Sequence, residues 1–339
     1  MNVRKAFGAP LTALAIVVAG GAVAMWLSGV NPLDGFAALV AGSLGGTGEL
    51  SETLVQTGAL LFPALAVALA FRGGLFNIGA EGQLLVGGLA AGAIGATYGG
   101  LPVFGILAML CASALAGGMW GALAGVLRAK FEASEIITTL MLNSIAFYVA
   151  SYFVGGPLHS PLASGAETAP LPANLWLPLL VPGTRLSIAL LLALALAAAL
   201  QFLLARTVFG FDLRAAGEAP EAARRNGVDL PRITIVALAL SGAIAGLGGG
   251  TLVTGALHRF NTALSPGYGY TAIAVALVAD LNPLWICAAA FGFGMLESGG
   301  LAMQAQAQVP KDVIHAIEGV IVLVLAARRF VATRVEQRV

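Results

Sequence analysis

Apolar runs long enough to cross a bilayer recur along almost the whole chain and leave little room for anything else. A helical crossing takes roughly 20 apolar residues. Runs of this kind lie near 9 to 29, 53 to 71, 82 to 98, 102 to 127, 136 to 154, 186 to 205, 233 to 255, 270 to 280, 284 to 303 and 312 to 327, punctuated by glycine, proline and charge. Soluble domains are about one quarter charged, whereas this chain is 10% charged and 59% hydrophobic. The expectation is an all-α polytopic membrane protein of about ten transmembrane helices, a single domain over residues 1 to 339.

Basic residues set the orientation, because cytoplasmic loops retain them. Arg4 and Lys5 precede the apolar run from Leu11 to Leu27, and Ala22-Val23-Ala24 imitates a signal-cleavage site. The run is longer than a signal core, so it is expected to stay as the first span. With the N-terminus cytoplasmic, Arg72, Arg128, Lys130, Arg206, Arg214, Arg224, Arg225, Arg232, Arg328, Arg329, Arg334 and Arg338 fall on the same side, and only Arg185, Arg259 and Lys311 fall outside. Both termini are then cytoplasmic and the span count is even. Asn31 to Glu52 and residues 155 to 185 become external loops, the second long enough for either a docking surface or a spacer.

Between the second and third spans lies RGGLFNIGAEGQ, Arg72 to Gln83. Glycine-broken polar backbone at membrane depth must be surrounded by protein or line a wet cavity. Asn77, Glu81 and Gln83 are therefore candidates for a translocation path or gate. The orientation places Glu81 at the cytoplasmic entrance to the third span, which suits a gate better than a midplane site. An equal case exists for scaffold, with Glu81 satisfying free N–H groups at a helix start and Gly79 and Gly82 permitting the turn. Phe71, Phe76 and Trp285 could stack on a ring, although aromatic residues at span ends commonly anchor the interface. Glycine-rich stretches such as Gly117 to Gly125 and Gly242 to Gly250 indicate close helix packing. Ala64 to Leu69 is echoed by Ala272 to Leu277, each ending near a charge, Arg72 and Asp280.

Catalytic chemistry is sparse. His159, His258 and His315 show no metal-ligand spacing, Cys111 and Cys287 sit in apolar runs, and no G-x-S-x-G elbow occurs. The lysines Lys5, Lys130 and Lys311 follow no glycine-rich phosphate loop. Net charge of +1 argues against nucleic acid. Energy from ATP would need a separate subunit and a surface to receive it. Residues 207 to 232 form the most charged stretch. Pro220 suits a first helical position, Glu221 the positive end, Arg224 and Arg225 the negative end, and Gly227 a stop. The resulting short helix reads either as a lever pressed into a partner or as a solvated loop helix.

The chain resembles the membrane permease subunit of bacterial ABC importers for nucleosides, in the wider group serving simple sugars and branched-chain amino acids. The likeness rests on AFRGGLFNIGAEGQ at Ala70 to Gln83, EIITTLMLN at Glu135 to Asn143, LRAAGEAPEAARRNGV at Leu213 to Val228, LSGAIAGLGG at Leu240 to Gly249 and AIAVALVADLNP at Ala272 to Pro283. The resemblance implies import across the bacterial inner membrane. A periplasmic or lipid-anchored solute-binding protein delivers the solute, two permease subunits, usually different chains, form the path, and a cytoplasmic ABC ATPase binds ATP and Mg. This chain itself would hold no cofactor or metal and would not be an enzyme. Gly217, Pro220, Glu221, Ala222, Ala223, Arg224 and Gly227 then belong to the ATPase-coupling segment, although Ala219 replaces the Asn usual before the proline. FNIGAEGQ is most typical of the nucleoside branch, with a simple sugar or other small polar solute as the alternative.

Glu297, His315 and Glu318 are ionisable groups at expected membrane depth and should face inward. His315 and Glu318, three apart, can satisfy each other. Asp280, Asn282 and Pro283 read as a turn. A rival from another class is an ion-coupled secondary transporter, which would also use Glu81 but would not need residues 207 to 232.

Overall fold

A computed structural model describes residues 18–98, 101–161, 165–310, 312–314, 316–317 and 319–320. Among these residues the regular structure is helical, and the only strand-like pairings are the isolated bridges Glu167–Asn261 and Leu179–Ser187. Arg4, Lys5, Lys311, His315, Glu318, Arg328, Arg329, Arg334 and Arg338 lie outside the described residues, as do both termini.

Two compact units divide the chain, residues 1–56 with 291–339 and residues 57–290. In the first, α1, described over Val18–Leu27, is followed by α2, Pro32–Leu44, at an angle of 118°. The Asn31 side chain accepts from the Leu33 N–H at 3.1 Å and Pro32 occupies the first turn, so the chain re-enters a helix where a loop is expected. Met25, Ala38, Met303, Val309, Val313, Ile314 and Ile317 form this unit's buried cluster.

The next helices are α3, Thr47–Arg72, α4, Ala80–Thr97, α5, Pro102–Phe131, and α6, Glu135–Gly155. Arg128 pairs with Glu135 at 3.3 Å across the α5–α6 turn. Then come α7, Ala189–Arg206, α8, Val208–Glu218, α9, Pro220–Arg225, α10, Leu230–Leu252, α11, Tyr268–Val278, and α12, Pro283–Ala307. A π-turn over Val253–Leu257 extends α10. Among the described residues six helices are long and apolar enough to cross a membrane, or up to seven if α1 and α2 make one bent span. The protein is a multi-pass membrane protein. The expected eighth span is a half-length helix: α11 has 11 residues, about 16 Å at 1.5 Å per residue, against a hydrocarbon core of about 30 Å.

Within residues 57–290 the core is built on backbone contact. A Cβ on Gly125 would lie 2.9 Å from the Ile235 Cα, and one on Gly117 2.7 Å from the Gly246 Cα. Larger residues there would drive α5 and α10 apart. α4 is packed against α5, α6 and α10, and Leu84, Ala91 and Gln83 are all buried. Residues 155–185 are laced to the end of α10: Leu177 N–H donates to the Thr254 carbonyl at 2.9 Å, and Thr168 N–H to that of Phe260 at 2.9 Å.

Candidate functional site

The end of α3 is determined by glycine. Gly74 takes φ +70°, the Leu75 N–H reaches back to the Ala70 carbonyl at 3.1 Å, and the Gly74 N–H to that of Phe71 at 3.1 Å. This pair of bonds closes a helix through a left-handed residue that glycine adopts without strain. The chain then stays unwound until α4 starts at Ala80.

Asn77 itself and side chains from α6 satisfy that unwound backbone, and Gln83 of α4 and Ser241 of α10 hold the Asn77 amide. The Asn77 Oδ1 accepts from the Gly79 N–H at 2.9 Å, while its Nδ2 donates to Gln83 Oε1 at 2.9 Å and to Ser241 Oγ at 2.8 Å. Ser241 Oγ donates onward to the Ala66 carbonyl at 2.6 Å. From α6, Asn143 Nδ2 donates to the Ile78 carbonyl at 2.9 Å and its Oδ1 accepts from the Gly82 N–H at 2.9 Å. Thr139 Oγ1 accepts from the Ile78 N–H at 3.2 Å. An apolar surround makes each such bond obligatory, since an unpaired peptide group there costs several kcal/mol.

Glu81 links two helix starts. It stands in the first turn of α4, and its Oε2 accepts from the Gly269 N–H of α11 at 2.7 Å and from Ser265 Oγ at 3.0 Å. Ser265 Oγ in turn accepts from the Tyr268 N–H at 2.9 Å. A carboxylate is favoured where free N–H groups gather at a helix N-terminus. Position 269 must be glycine for this approach, since a Cβ would come within 2.6 Å of the Glu81 Cα.

The opposite end of α11 meets Arg72. Its Nε donates to the Leu281 carbonyl at 3.2 Å and its Nη2 to the Asp280 carbonyl at 3.1 Å. Arg72 and Glu81 thus hold the two ends of α11, separated by its length of about 16 Å. Arg72 and Glu81 therefore stand at opposite ends of α11. The echoed segments Ala64–Leu69 and Ala272–Leu277 end at this Arg72–Asp280 contact.

Residues 207–232 lie directly on the α3 turn. A Cβ on Gly217 would sit 2.6 Å from the Arg72 carbonyl oxygen and 2.8 Å from the Gly74 nitrogen, and Leu213, fully buried, covers Gly73. α8 is capped by Thr207, whose Oγ1 accepts from the Gly210 N–H at 3.1 Å. α9 has Pro220 in its first turn and Glu221 paired with Arg224 at 2.8 Å in solvent. Ala219 stands at its N-cap with no side-chain bond. Gly227 takes φ +88° beyond its end. Ala223 is buried, while Ala222, Glu221 and Arg224 are exposed.

The candidate residues therefore separate. Asn77 and Gln83 are 0% and 1% exposed and bond to each other, while Glu81 keeps partial exposure. Phe71 and Phe76 lie against each other with ring planes tilted by 56° and centroids 4.9 Å apart, and Trp285 is exposed. Glu297 has an interaction partner. Among the described residues no three His, Cys, Asp or Glu side chains gather in a way that could hold a metal. Thr139, Asn143, Ser241, Ser265 and Tyr270 were not legible as site residues, although Thr139 and Asn143 stand four apart, a spacing that puts two polar groups on one face of an apolar helix.

Residues from all five sequence motifs thus meet at one broken helix inside a multi-pass helical bundle, an arrangement that defines a membrane permease. Residues 49–326 match the family model described as branched-chain amino acid transport system / permease component. The chain belongs to this family. It is 33% identical to the guanosine ABC transporter permease protein NupP of Bacillus subtilis, over 97% of this chain and 96% of the relative. It is also 33% identical to the glucose ABC transporter permease protein TsgB13 of Haloferax volcanii, over 96% and 88%. The nucleoside ABC transporter permease protein NupB of Lactococcus lactis is 28% identical, over 94% and 90%. No solved structure matches the chain.

Proposed function

We propose that this chain is a membrane-spanning subunit of an ATP-binding-cassette importer that moves nucleosides across a bacterial inner membrane. It would cross the membrane ten times, with both termini cytoplasmic. Hydrolysis of ATP with Mg would take place on a separate ATPase docked at residues 207–232. A second, different permease chain would complete the path, and a periplasmic or lipid-anchored binding protein would deliver the solute.

One observation carries the reading: Gly217 rests on the Arg72–Gly74 backbone, and the same unwound segment leads to Glu81. A displacement of α8 and α9 by a docked ATPase then has a route of direct contact to a carboxylate that stays partly exposed. Asn77 and Gln83 would serve the path by holding its shape. A sugar is the second reading, because the Haloferax glucose permease matches at the same identity as the Bacillus guanosine permease.

The test is uptake of labelled guanosine and of labelled glucose into proteoliposomes holding this chain with its partner permease, ATPase and binding protein. Guanosine uptake that stops when the ATPase is omitted supports the reading. Uptake that continues without the ATPase would instead establish a secondary transporter.

A further inference from the structure

Resting on the nucleoside reading, we infer that Tyr270 is the base-stacking residue of the path and that the free carboxylate oxygen of Glu81 receives the ribose hydroxyls. The two side chains are neighbours. Gly269, whose N–H donates to Glu81 Oε2 at 2.7 Å, immediately precedes Tyr270. Asn143 Nδ2 donates to the Tyr270 hydroxyl at 3.2 Å, and the same amide's Oδ1 accepts from Gly82, the residue after Glu81, at 2.9 Å. Asn143 thus ties the Tyr270 hydroxyl to the α4 backbone next to Glu81.

Both members have a free side. Glu81 Oε2 is occupied by Ser265 and Gly269, whereas Oε1 has no hydrogen-bond partner and is not enclosed among the described residues. Tyr270 is 45% exposed although it lies in the first turn of an apolar helix. An acceptor oxygen left open at membrane depth requires water, protein or solute beside it, and Tyr270 offers an exposed ring next to it. A nucleoside supplies the matching pair: vicinal hydroxyls that donate to a carboxylate oxygen, and a flat base that stacks on a ring. Phe76 is similarly exposed, but it has Phe71 against its ring at 4.9 Å and is tied to no polar group of the site.

The experiment uses the complete transporter in proteoliposomes with guanosine-loaded binding protein at saturation. Losing one base–aromatic stack, Tyr270→Leu should slow guanosine uptake about tenfold, while Tyr270→Phe keeps most of it. Both variants lose the hydrogen bond from Asn143, so the difference in uptake between them reads the ring itself. Photolabelling with 8-azidoguanosine during turnover should mark the Tyr270 to Thr271 peptide. Guanosine uptake by Tyr270→Leu at the wild-type rate, or label confined to other peptides, overturns the inference while leaving the nucleoside reading in place. A wild-type transporter that carries glucose and no nucleoside overturns both.

Discussion

Arg72, the last residue of α3, donates from Nε to the Leu281 carbonyl at 3.2 Å and from Nη2 to the Asp280 carbonyl at 3.1 Å, just past the end of α11. Asp280 and Leu281 both take positive φ, 54° and 56°, so the chain turns sharply there without glycine. A guanidinium supplies what such an end lacks, a cation for the negative helix terminus and a planar fork of donors. Arg72→Ala should lower stability by about 1–3 kcal/mol, the range for hydrogen bonds to charged groups and buried orphan acceptors. Arg72→Lys should recover only part, because an ammonium does not reproduce the fork. Thermal unfolding in detergent reads both, and an unchanged midpoint for Arg72→Ala would show that α11 does not depend on this contact.

Gly217 has no room for a methyl group, since its Cβ would press on the Arg72 carbonyl oxygen at 2.6 Å and on Gly74 N at 2.8 Å. Both are backbone atoms, so the turn or α8 must move; overpacking of this kind costs about 1–3 kcal/mol. Gly217→Ala should therefore leave ATP hydrolysis by the assembled transporter running while solute uptake falls. Ala222→Glu differs: Ala222 is exposed on α9, so this change should weaken ATPase docking without shifting the unfolding midpoint. Measuring ATPase rate, uptake and midpoint on both variants separates the two effects. Equal losses of all three in Gly217→Ala would mean plain misfolding.

The six long apolar helices were legible because long apolar runs and glycine-rich packing faces are written locally: α5 and α10 approach at Gly117, Gly125 and Gly246 as their composition suggests. α9 was legible for the same reason, its proline, acidic, basic and glycine signals all falling within a few residues. α2 was not, since Asn31, Pro32 and Asp34 look like a loop unless the Asn31 side chain is known to cap a helix. The partners of the site were hidden by distance along the chain. Glu81 meets Gly269 across 188 positions and Asn77 meets Ser241 across 164, and no local period encodes such a pairing. The polar residues of RGGLFNIGAEGQ stood out, but whether each faces inward or outward was decided by α6, α10 and α11.

Burial of His258 against Trp176, stacked at 3.7 Å between ring centroids, holds its imidazole below the ordinary 6.5; the Thr254 carbonyl acts in the opposite direction and is the smaller cause. Folding therefore favours the neutral ring over the charged one. As pH falls below 6.5 the unfolded chain takes up this proton before the folded one does, so stability is present above that value and is lost as pH drops through the window beneath it. The Arg259–Glu167 pair lies alongside, 2.7 Å apart. The unfolding midpoint should decline as pH falls below 6.5, and His258→Phe, which keeps the stack and removes the titration, should flatten the decline. An identical slope in both proteins would assign it to other groups.

Asn77 distinguishes a wall residue from a scaffold residue. It is fully buried, and its amide joins Gly79, Gln83 and Ser241 in one cluster. Asn77→Ala removes three partners at once and leaves a backbone N–H, a side-chain amide oxygen and a hydroxyl to rearrange in a dry setting. Each stranded group costs about 1–3 kcal/mol, so the variant should be strongly destabilised and should lose transport of every solute alike. Asn77→Asp keeps the acceptor facing Gly79 but puts acceptors opposite Gln83 Oε1, so it should be impaired as well. Selective loss of one solute at an unchanged unfolding midpoint would instead put Asn77 in contact with the cargo, and would require the α3–α4 segment to open far beyond the geometry held by Ser241 and Asn143.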